Sequence, residues 1–343
     1  MTRLFSLGLG VGTQNGQGDW LEVFYPSPRL NPSDDITSAI ETIVGYEGGN
    51  SAIALTSEQA SELAGALESV DGELAQIAKS LTESQRPLVA TLLADDGEPS
   101  STPEAYLKLH LLSHRLVKPH GVNLSGMFGV LPNVAWTNQG AIDLAELPER
   151  MLQARIQGEL LDVDCVDKFP KMTNYVVPTG VRIAHTARVR LGAYIGEGTT
   201  VMHEGFVNFN AGTEGPGMIE GRISAGVMVG KGSDLGGGCS TMGTLSGGGN
   251  IVISVGEGCL LGANAGIGIP LGDRCTVESG LYITAGTLVS VLDESGQEVE
   301  KVKARDLAGK SDLLFRRHSI TGTVECKTNK SAIELNEELH AHN

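Results

Sequence analysis

VPTGVRIAHTARVRLGAYIGEGTTVMHEGFV, residues 177–207, carries an aliphatic side chain at every sixth position: Val177, Ile183, Val189, Ile195, Val201 and Val207. The same step returns at Ile223, Val229 and Leu235, at Val255, Leu261 and Ile267, and at Leu271, Val277, Ile283 and Val289. Neither the 3.6-residue helical period nor simple strand alternation produces that spacing. A hexapeptide period is the pattern of a parallel β-helix. Each coil of such a solenoid covers the next, leaving flat outer faces and loops for function. Three hexapeptides per coil predict about six coils of roughly eighteen residues. Two tracts interrupt the step: GTEGPGM (212–218) is expected to shift the register before Ile219, and GTLSGGGN (243–250) before Val255. Solenoid insertions become loops on one face, often the binding face.

Outward from the repeat, LFSLGLGVGT (4–13) and WLEVFYP (20–26) read as strands. Residues 51–70, 73–93, 103–117 and 149–160 have helical spacing, and Thr56 followed by Glu58 and Gln59 predicts a cap. Residues 119–148 read as irregular. The expected organisation is an α/β domain with linker over 1–168, a β-helix over 169–292 and a C-terminal segment over 293–343. That last segment ends in the polar tail KTNKSAIELNEELHAHN (327–343).

Of the 343 residues 41% are hydrophobic, so a folded chain is expected. Many of the 46 glycines crowd into 180–290, which suits tight repeat corners. A net charge of −16 argues against a bulk nucleic-acid binder. No apolar run is long enough to span a membrane, and no signal peptide is read at the N-terminus. A cytoplasmic protein is therefore expected. The five cysteines form no CxxC pair, which argues against a zinc knuckle and for free, mostly buried thiols.

Four constellations are candidates for chemistry. His203-Glu204 lies close to Asn208 and Asn210, and Glu220-Gly221-Arg222 follows the first interruption. A carboxylate beside a loop on a solenoid face can act as base or nucleophile, or be a solvated or paired charge. Residues 301–317 hold six basic side chains and only two acidic ones, in an acidic chain. That reversal of sign suits a phosphate-bearing ligand or an ordinary surface. His110 and His114 share a helix face, but the Glu of HExxH is missing, so a structural pair is expected.

The strings VMHEGFVNFNAGT (201–213), MIEGRISAGVMVGKGSDLGGGCS (218–240), MGTLSGGG (242–249), LLGANAGIGIPLGD (260–273), ESGLYITAGT (278–287) and LLFRRHS (313–319) resemble the tetrahydrodipicolinate N-succinyltransferase family, in its longer form. The resemblance implies a left-handed parallel β-helix and a homotrimer with active sites between subunits. It implies succinyl transfer from succinyl-CoA to the amine of L-2-amino-6-oxopimelate, on the route to diaminopimelate and lysine. Glu220 of MIEGR matches the family's catalytic carboxylate, as anhydride nucleophile or as base for direct attack by the amine. Arg222, Gly237, Ser240, Ala263, Glu278, Ser279, Gly286, Lys303, Arg316, Arg317, His318 and Ser319 match the succinyl-CoA site. The resemblance also implies a Mg²⁺ on the trimer axis, held by Glu204 and an Asp, but the Asp position falls at Ala187. The competing readings are another hexapeptide acyl-CoA transferase or a non-enzymatic β-helix binding module. A β-helix carbonic anhydrase needs three histidine ligands, and 177–293 contain only His185 and His203.

Overall fold

The computed structural model describes residues 3–243 and 251–328; most of the second interruption and the polar tail beyond Thr328 lie outside these. The chain divides into two compact units.

The first unit comprises 1–117, 121–170 and 174–176. Strands β1 (Ser6–Gln14) and β2 (Trp20–Phe24) form where expected and pair antiparallel. Next come β3 (Arg29–Leu30), α1 (Asp34–Val44), β4 (Ser51–Leu55), α2 (Ser57–Leu67), α3 (Gly72–Leu81) and β5 (Leu88–Leu93). The sheet runs β2-β1-β5-β4, with β3 beside β1. Its core joins Leu7, Leu9 and Leu92 to Ile40, Leu63, Leu67 and Leu74 of the helices. The Thr56 cap forms, since Gln59 N donates to Thr56 Oγ1 and Thr56 N to Gln59 Oε1. Two expected helices are partly strand. Residues 51–55 and 88–93 read locally as continuations of helices, but every side chain of LVATLL (88–93) is buried between neighbouring strands. The helix α1 went unread because its apolar positions are mostly β-branched.

Helix α4 (Thr102–Ser113) is buried along its whole length. His110 donates or accepts at both ring nitrogens: Tyr25 N donates to Nε2 at 3.3 Å, and Nδ1 bonds Tyr106 O at 2.7 Å. Those partners fix the neutral Nδ1–H tautomer. His114 stacks on it at 6.0 Å. Burial pulls the His110 pKa down to about 3 and lowers that of His114 too. An unfolded histidine takes a proton below about pH 6.5, whereas folded His110 resists until about 3. Stability should therefore fall as pH drops through that window. Urea midpoints at neutral pH and about pH 5 check this. The loss should shrink in His110→Gln, which does not titrate, and an equal loss would assign the effect elsewhere.

Beyond α4 lie α5 (Met127–Val130), β6 (Val134–Thr137), β7 (Gly140–Asp143), α6 (Leu147–Ile156) and β8 (Val163–Asp167). The tract read as irregular thus contains two of the three strands of the antiparallel sheet β7-β6-β8.

The second unit is the solenoid. Its long sheet stacks Arg182–Ile183, Thr199–Val201, Gly217–Ile219, Asp234–Leu235, Leu260–Leu261, Thr276–Val277 and Leu313–Arg317, each parallel to the next. A second sheet stacks Phe206–Val207, Arg222–Ile223, Ser240–Thr241, Gly266–Gly268 and Tyr282–Thr284. A third stacks Ala193–Ile195, Ala211–Thr213, Met228–Val229 and Ser254–Val255. Val201, Ile219, Leu235, Leu261, Val277 and Phe315 form one inward column, all with at most 1% exposure. Each buried side chain of this kind stabilises by about 1.5–3 kcal/mol.

Three details of the step differ from expectation. Val177 is 70% exposed, so the fully buried beat starts at Val189. Thr213 fills the slot between Val207 and Ile219, with its hydroxyl bonded to that of Thr199 at 2.6 Å. The step therefore runs unbroken through 212–218. It shortens instead at the corner Glu220-Gly221-Arg222, between inward Ile219 and Ile223, and again between Ile267 and Leu271. Pairing offsets show the result: Val201 meets Ile219, Ile219 meets Leu235, and Asp234 meets Leu260 across the second interruption. Coils thus differ in length around a common core.

The chain after Val289 is part of this unit. Leu288–Leu292 pairs antiparallel with Glu298–Lys303, and Leu313–Arg317 rejoins the long sheet with Phe315 over Val277. Val324–Thr328 lies between these two arms of the sheet. Among the described residues no helix is long and apolar enough to cross a membrane.

Candidate active site

Wherever the long sheet passes to the second sheet, the chain turns just after an inward side chain. These turns stack into one edge: Met202–Gly205, Glu220-Gly221, Gly236–Cys239, Gly262–Ala265 and Glu278–Leu281; at the same edge strand Leu313–Arg317 ends and the chain turns through His318 and Ser319 back into antiparallel Val324–Thr328. Backbone bonds hold turn to turn: Met202 N to Ile219 O, Glu220 N to Leu235 O, Gly236 N to Leu261 O, Gly262 N to Val277 O and Glu278 N to Phe315 O, all 2.8–2.9 Å. Residues scattered over a hundred positions of sequence thereby form one column. Glu220, Gly237, Ala263, Glu278, Ser279, Arg316, Arg317, His318 and Ser319 all lie on it.

Glu220 is half-buried on the short corner. Its carboxylate faces a glycine: a Cβ on Gly237 would stand 3.5 Å from Oε2. Gly238 has φ +69°, and a Cβ there would meet Asn264 Oδ1 at 2.5 Å. The next amides are committed: Gly238 N donates to Glu220 O, Cys239 N to Gly236 O and Ser240 N to Ala265 O. The Gly237 N–H has no partner among the described residues.

Arg222 and Ser240 are neighbours on the second sheet, and Arg222 Nη2 donates to Ser240 Oγ at 2.8 Å. On the same sheet the Tyr282 ring lies over Gly266, where a Cβ would approach within 2.1 Å. Cys239 sits beneath the corner. Burial pushes its thiol up to about 12, only partly opposed by Arg222, so it supplies no thiolate at neutral pH. A Cβ on Gly221 would come within 2.3 Å of its Sγ and 2.7 Å of its carbonyl oxygen. Gly221→Ala is expected to lower the unfolding free energy by about 1–3 kcal/mol. Chemical denaturation checks this, and an unchanged midpoint would mean that the corner relaxes freely.

At the far end of the column Glu278 Oε2 accepts from Arg317 N at 2.6 Å. Arg316 is paired with buried Glu325 at 2.9 Å, and Lys301 with Glu298 at 3.8 Å. Lys303, Arg305, Lys310 and Arg317 form no ion pair among the described residues. Gly286 and Lys303 lie off the column, past the other end of strand Tyr282–Thr284. There Ala304 N bonds Thr287 O and Arg305 N bonds Ala285 O.

Other candidates resolve into structure. Asn208 Oδ1 accepts from Arg190 and from Phe209 N, and Asn210 Oδ1 from His120 N. Glu204 is exposed, with His203 Nδ1 3.3 Å from its Oε1. The His203 ring stands edge-on to His185, at 5.1 Å between centroids. Ala187 lies in the 3₁₀ turn Thr186–Arg188 and offers no ligating atom. Among the described residues no group of three or more His, Cys, Asp or Glu side chains forms a metal cluster. All five cysteines are free, and only Cys165 is not fully buried. Sequence reading missed Asn264 and Tyr282. The signal was a bulky residue set one coil from a glycine in register, which only the pairing makes visible.

Residues 131–171 match the family model "Tetrahydrodipicolinate N-succinyltransferase middle", and 252–285 match "Hexapeptide repeat of succinyl-transferase". The chain is 75% identical over 340 residues to the 2,3,4,5-tetrahydropyridine-2,6-dicarboxylate N-succinyltransferase of Pseudomonas putida, covering 99% of both chains. It is 61% identical to the enzyme of that name from Vibrio cholerae, again over 99% of both. A crystal structure of a putative 2,3,4,5-tetrahydropyridine-2-carboxylate N-succinyltransferase from Campylobacter jejuni superposes with TM-score 0.89 at 31% identity, covering 97% of this chain and 94% of that one.

Proposed function

The chain belongs to the tetrahydrodipicolinate N-succinyltransferase family, and on that premise we propose how its stacked edge carries the reaction. It is an acyl-CoA-dependent transferase that moves succinyl from succinyl-CoA to the amine of L-2-amino-6-oxopimelate, a step toward diaminopimelate and lysine. Glu220 is the reactive carboxylate. The acceptor amine attacks only when neutral, and a carboxylate beside the thioester carbonyl takes its proton. The Gly237 N–H, uncommitted among the described residues, donates to the oxyanion that forms as the amine adds. Collapse of that intermediate breaks the C–S bond and releases CoA thiol. The observation that carries this reading is the meeting of Glu220 with Gly237, at a corner where the glycine leaves room for an acyl chain.

Arg222, Ser240, Ala263, Glu278, Ser279, Gly286, Lys303, Arg316, Arg317, His318 and Ser319 line an extended track for the CoA arm. Lys303 and Arg317 offer charge to its phosphates, since neither is spent on an ion pair among the described residues. The working assembly is a homotrimer of left-handed β-helices in the cytoplasm. Residues 1–168 act as a separate N-terminal module, 169–292 as the transferase core and 293–343 as the segment that closes the CoA track. A Mg²⁺ on the trimer axis does not suit these residues. Ala187 cannot ligate, which leaves each subunit only the Glu204 carboxylate to offer. No step is routed through a metal.

The test is CoA thiol release from succinyl-CoA with tetrahydrodipicolinate, beside acetyl-CoA and an acceptor-free control. Acceptor-dependent release that prefers the succinyl donor is expected. Equal rates with acetyl-CoA would move the chain to a broader hexapeptide acyltransferase activity.

A further inference from the structure

The first unit contains a cavity of about 280 Å³, apart from the solenoid edge. Glu22, Phe24, Arg86, Trp136, Asp164 and Tyr175 are among its walls. Glu22 lies on β2 and is only 8% exposed. Its carboxylate accepts from Thr13 Oγ1 at 2.6 Å and from Tyr175 OH at 3.1 Å. No cation lies within ion-pair distance of it among the described residues. Burial raises its pKa, against the pull of those two hydroxyls and the more distant Arg86 charge. A buried carboxylate without a cation is costly to keep.

Arg86 supplies the opposite charge at the same cavity. Its Nη1 donates to the Thr13 hydroxyl at 2.8 Å, the same hydroxyl that donates to Glu22. Its guanidinium lies over Gly140, where φ is +100° and a Cβ would stand 3.6 Å from Nη2. The remaining guanidinium donors have no acceptor among the described residues. Glu22 and Arg86 thus share one cavity with Asp164, bridged by the Thr13 hydroxyl with no direct ion pair between them among the described residues. Phe24, Trp136 and Tyr175 supply apolar wall beside them.

We propose that this cavity binds an α-amino acid, with its ammonium on Glu22, its carboxylate on Arg86 and an aliphatic side chain along the aromatic wall. Ammonium and carboxylate on one carbon match the opposite charges of this cavity, acidic at Glu22 and Asp164 and basic at Arg86. The guanidinium fork suits a carboxylate. An ammonium on Glu22 offsets the cost of burying its charge. The volume suits a ligand smaller than the drug-sized molecules that fill pockets of roughly 300–1,000 Å³.

Calorimetric titration of the full chain with L-norleucine, without acyl-CoA, tests the proposal independently of the transferase reading. Trp136 gives a second readout, because the chain has only two tryptophans and Trp20→Phe leaves it alone. Saturable binding of norleucine is expected. Hexanoate lacks the ammonium and n-pentylamine the carboxylate, so each should bind about tenfold or more weakly. Arg86→Gln, at an exposed position, should lose a similar factor, as should Glu22→Gln if it folds. Failure of the unmodified protein to bind norleucine overturns the proposal. So does binding of either truncated ligand as tightly as norleucine, or undiminished affinity in Arg86→Gln, which would place the amino acid elsewhere.

Discussion

Glu220→Gln should lower turnover by about 10²–10⁴-fold and leave CoA affinity close to that of the unmodified protein. The amide matches the carboxylate in size but neither takes the amine's proton nor attacks a thioester. Nothing else at the corner replaces it, since the Cys239 thiol is held protonated by burial. The Gly237 amide is a backbone group that the substitution does not remove. Arg222 and Ser240 keep their mutual bond, because it lies on the neighbouring strand. The effect should therefore fall on kcat, as expected when an interaction made only in the transition state is lost. Initial rates of thiol release, beside a direct CoA titration, separate the two quantities. Turnover within a few-fold of the unmodified protein would remove Glu220 from the chemistry.

Phe315→Ala should cost about 3–5 kcal/mol of stability. Phe315 is fully buried and in register with Val277, so its ring closes the inward column of the long sheet. It also pairs across to Cys326, itself buried. An alanine there leaves a cavity bounded by backbone on both strands, which cannot collapse easily. The same strand carries Arg316 and Arg317, and the Glu278 carboxylate grips the Arg317 amide. Loosened packing should therefore weaken CoA binding as well as lower the urea midpoint. A midpoint within about 1 kcal/mol of the unmodified protein would mean that the last coil contributes little to the fold.

The aliphatic step was legible because a solenoid repeats one local rule and each coil meets only its neighbours. Its exceptions were not. Thr213 is polar yet occupies an inward slot because Thr199 satisfies its hydroxyl, so the register slip was placed one turn too early. The buried strand 88–93 and, in the β7-β6-β8 sheet, Val134–Thr137 were missed for a related reason. Continuous burial erases the alternation by which a strand is recognised. Glu220 was singled out because its string resembles a family, and the structure places it on the short corner of the stacked edge. The uncommitted Gly237 amide was invisible, since which amides are spent depends on pairings between distant coils. Part of the basic cluster was also hidden: two of its six side chains, Arg316 and Lys301, have partners that sequence does not assign.

A stack of parallel strands has no intrinsic stopping point, and its last rung is a template for another chain. Here the final rung is Glu298–Lys303, which runs antiparallel to its neighbour and reads EVEKVK, with four charged side chains in six residues, all but Val302 exposed. Reversed direction and exposed charges of both signs make that rung a poor mould for a second molecule's first coil. The solenoid thereby carries its own terminator against end-to-end growth into fibres, and neutral substitutions along Glu298–Lys303 would convert a finite protein into one prone to polymerise.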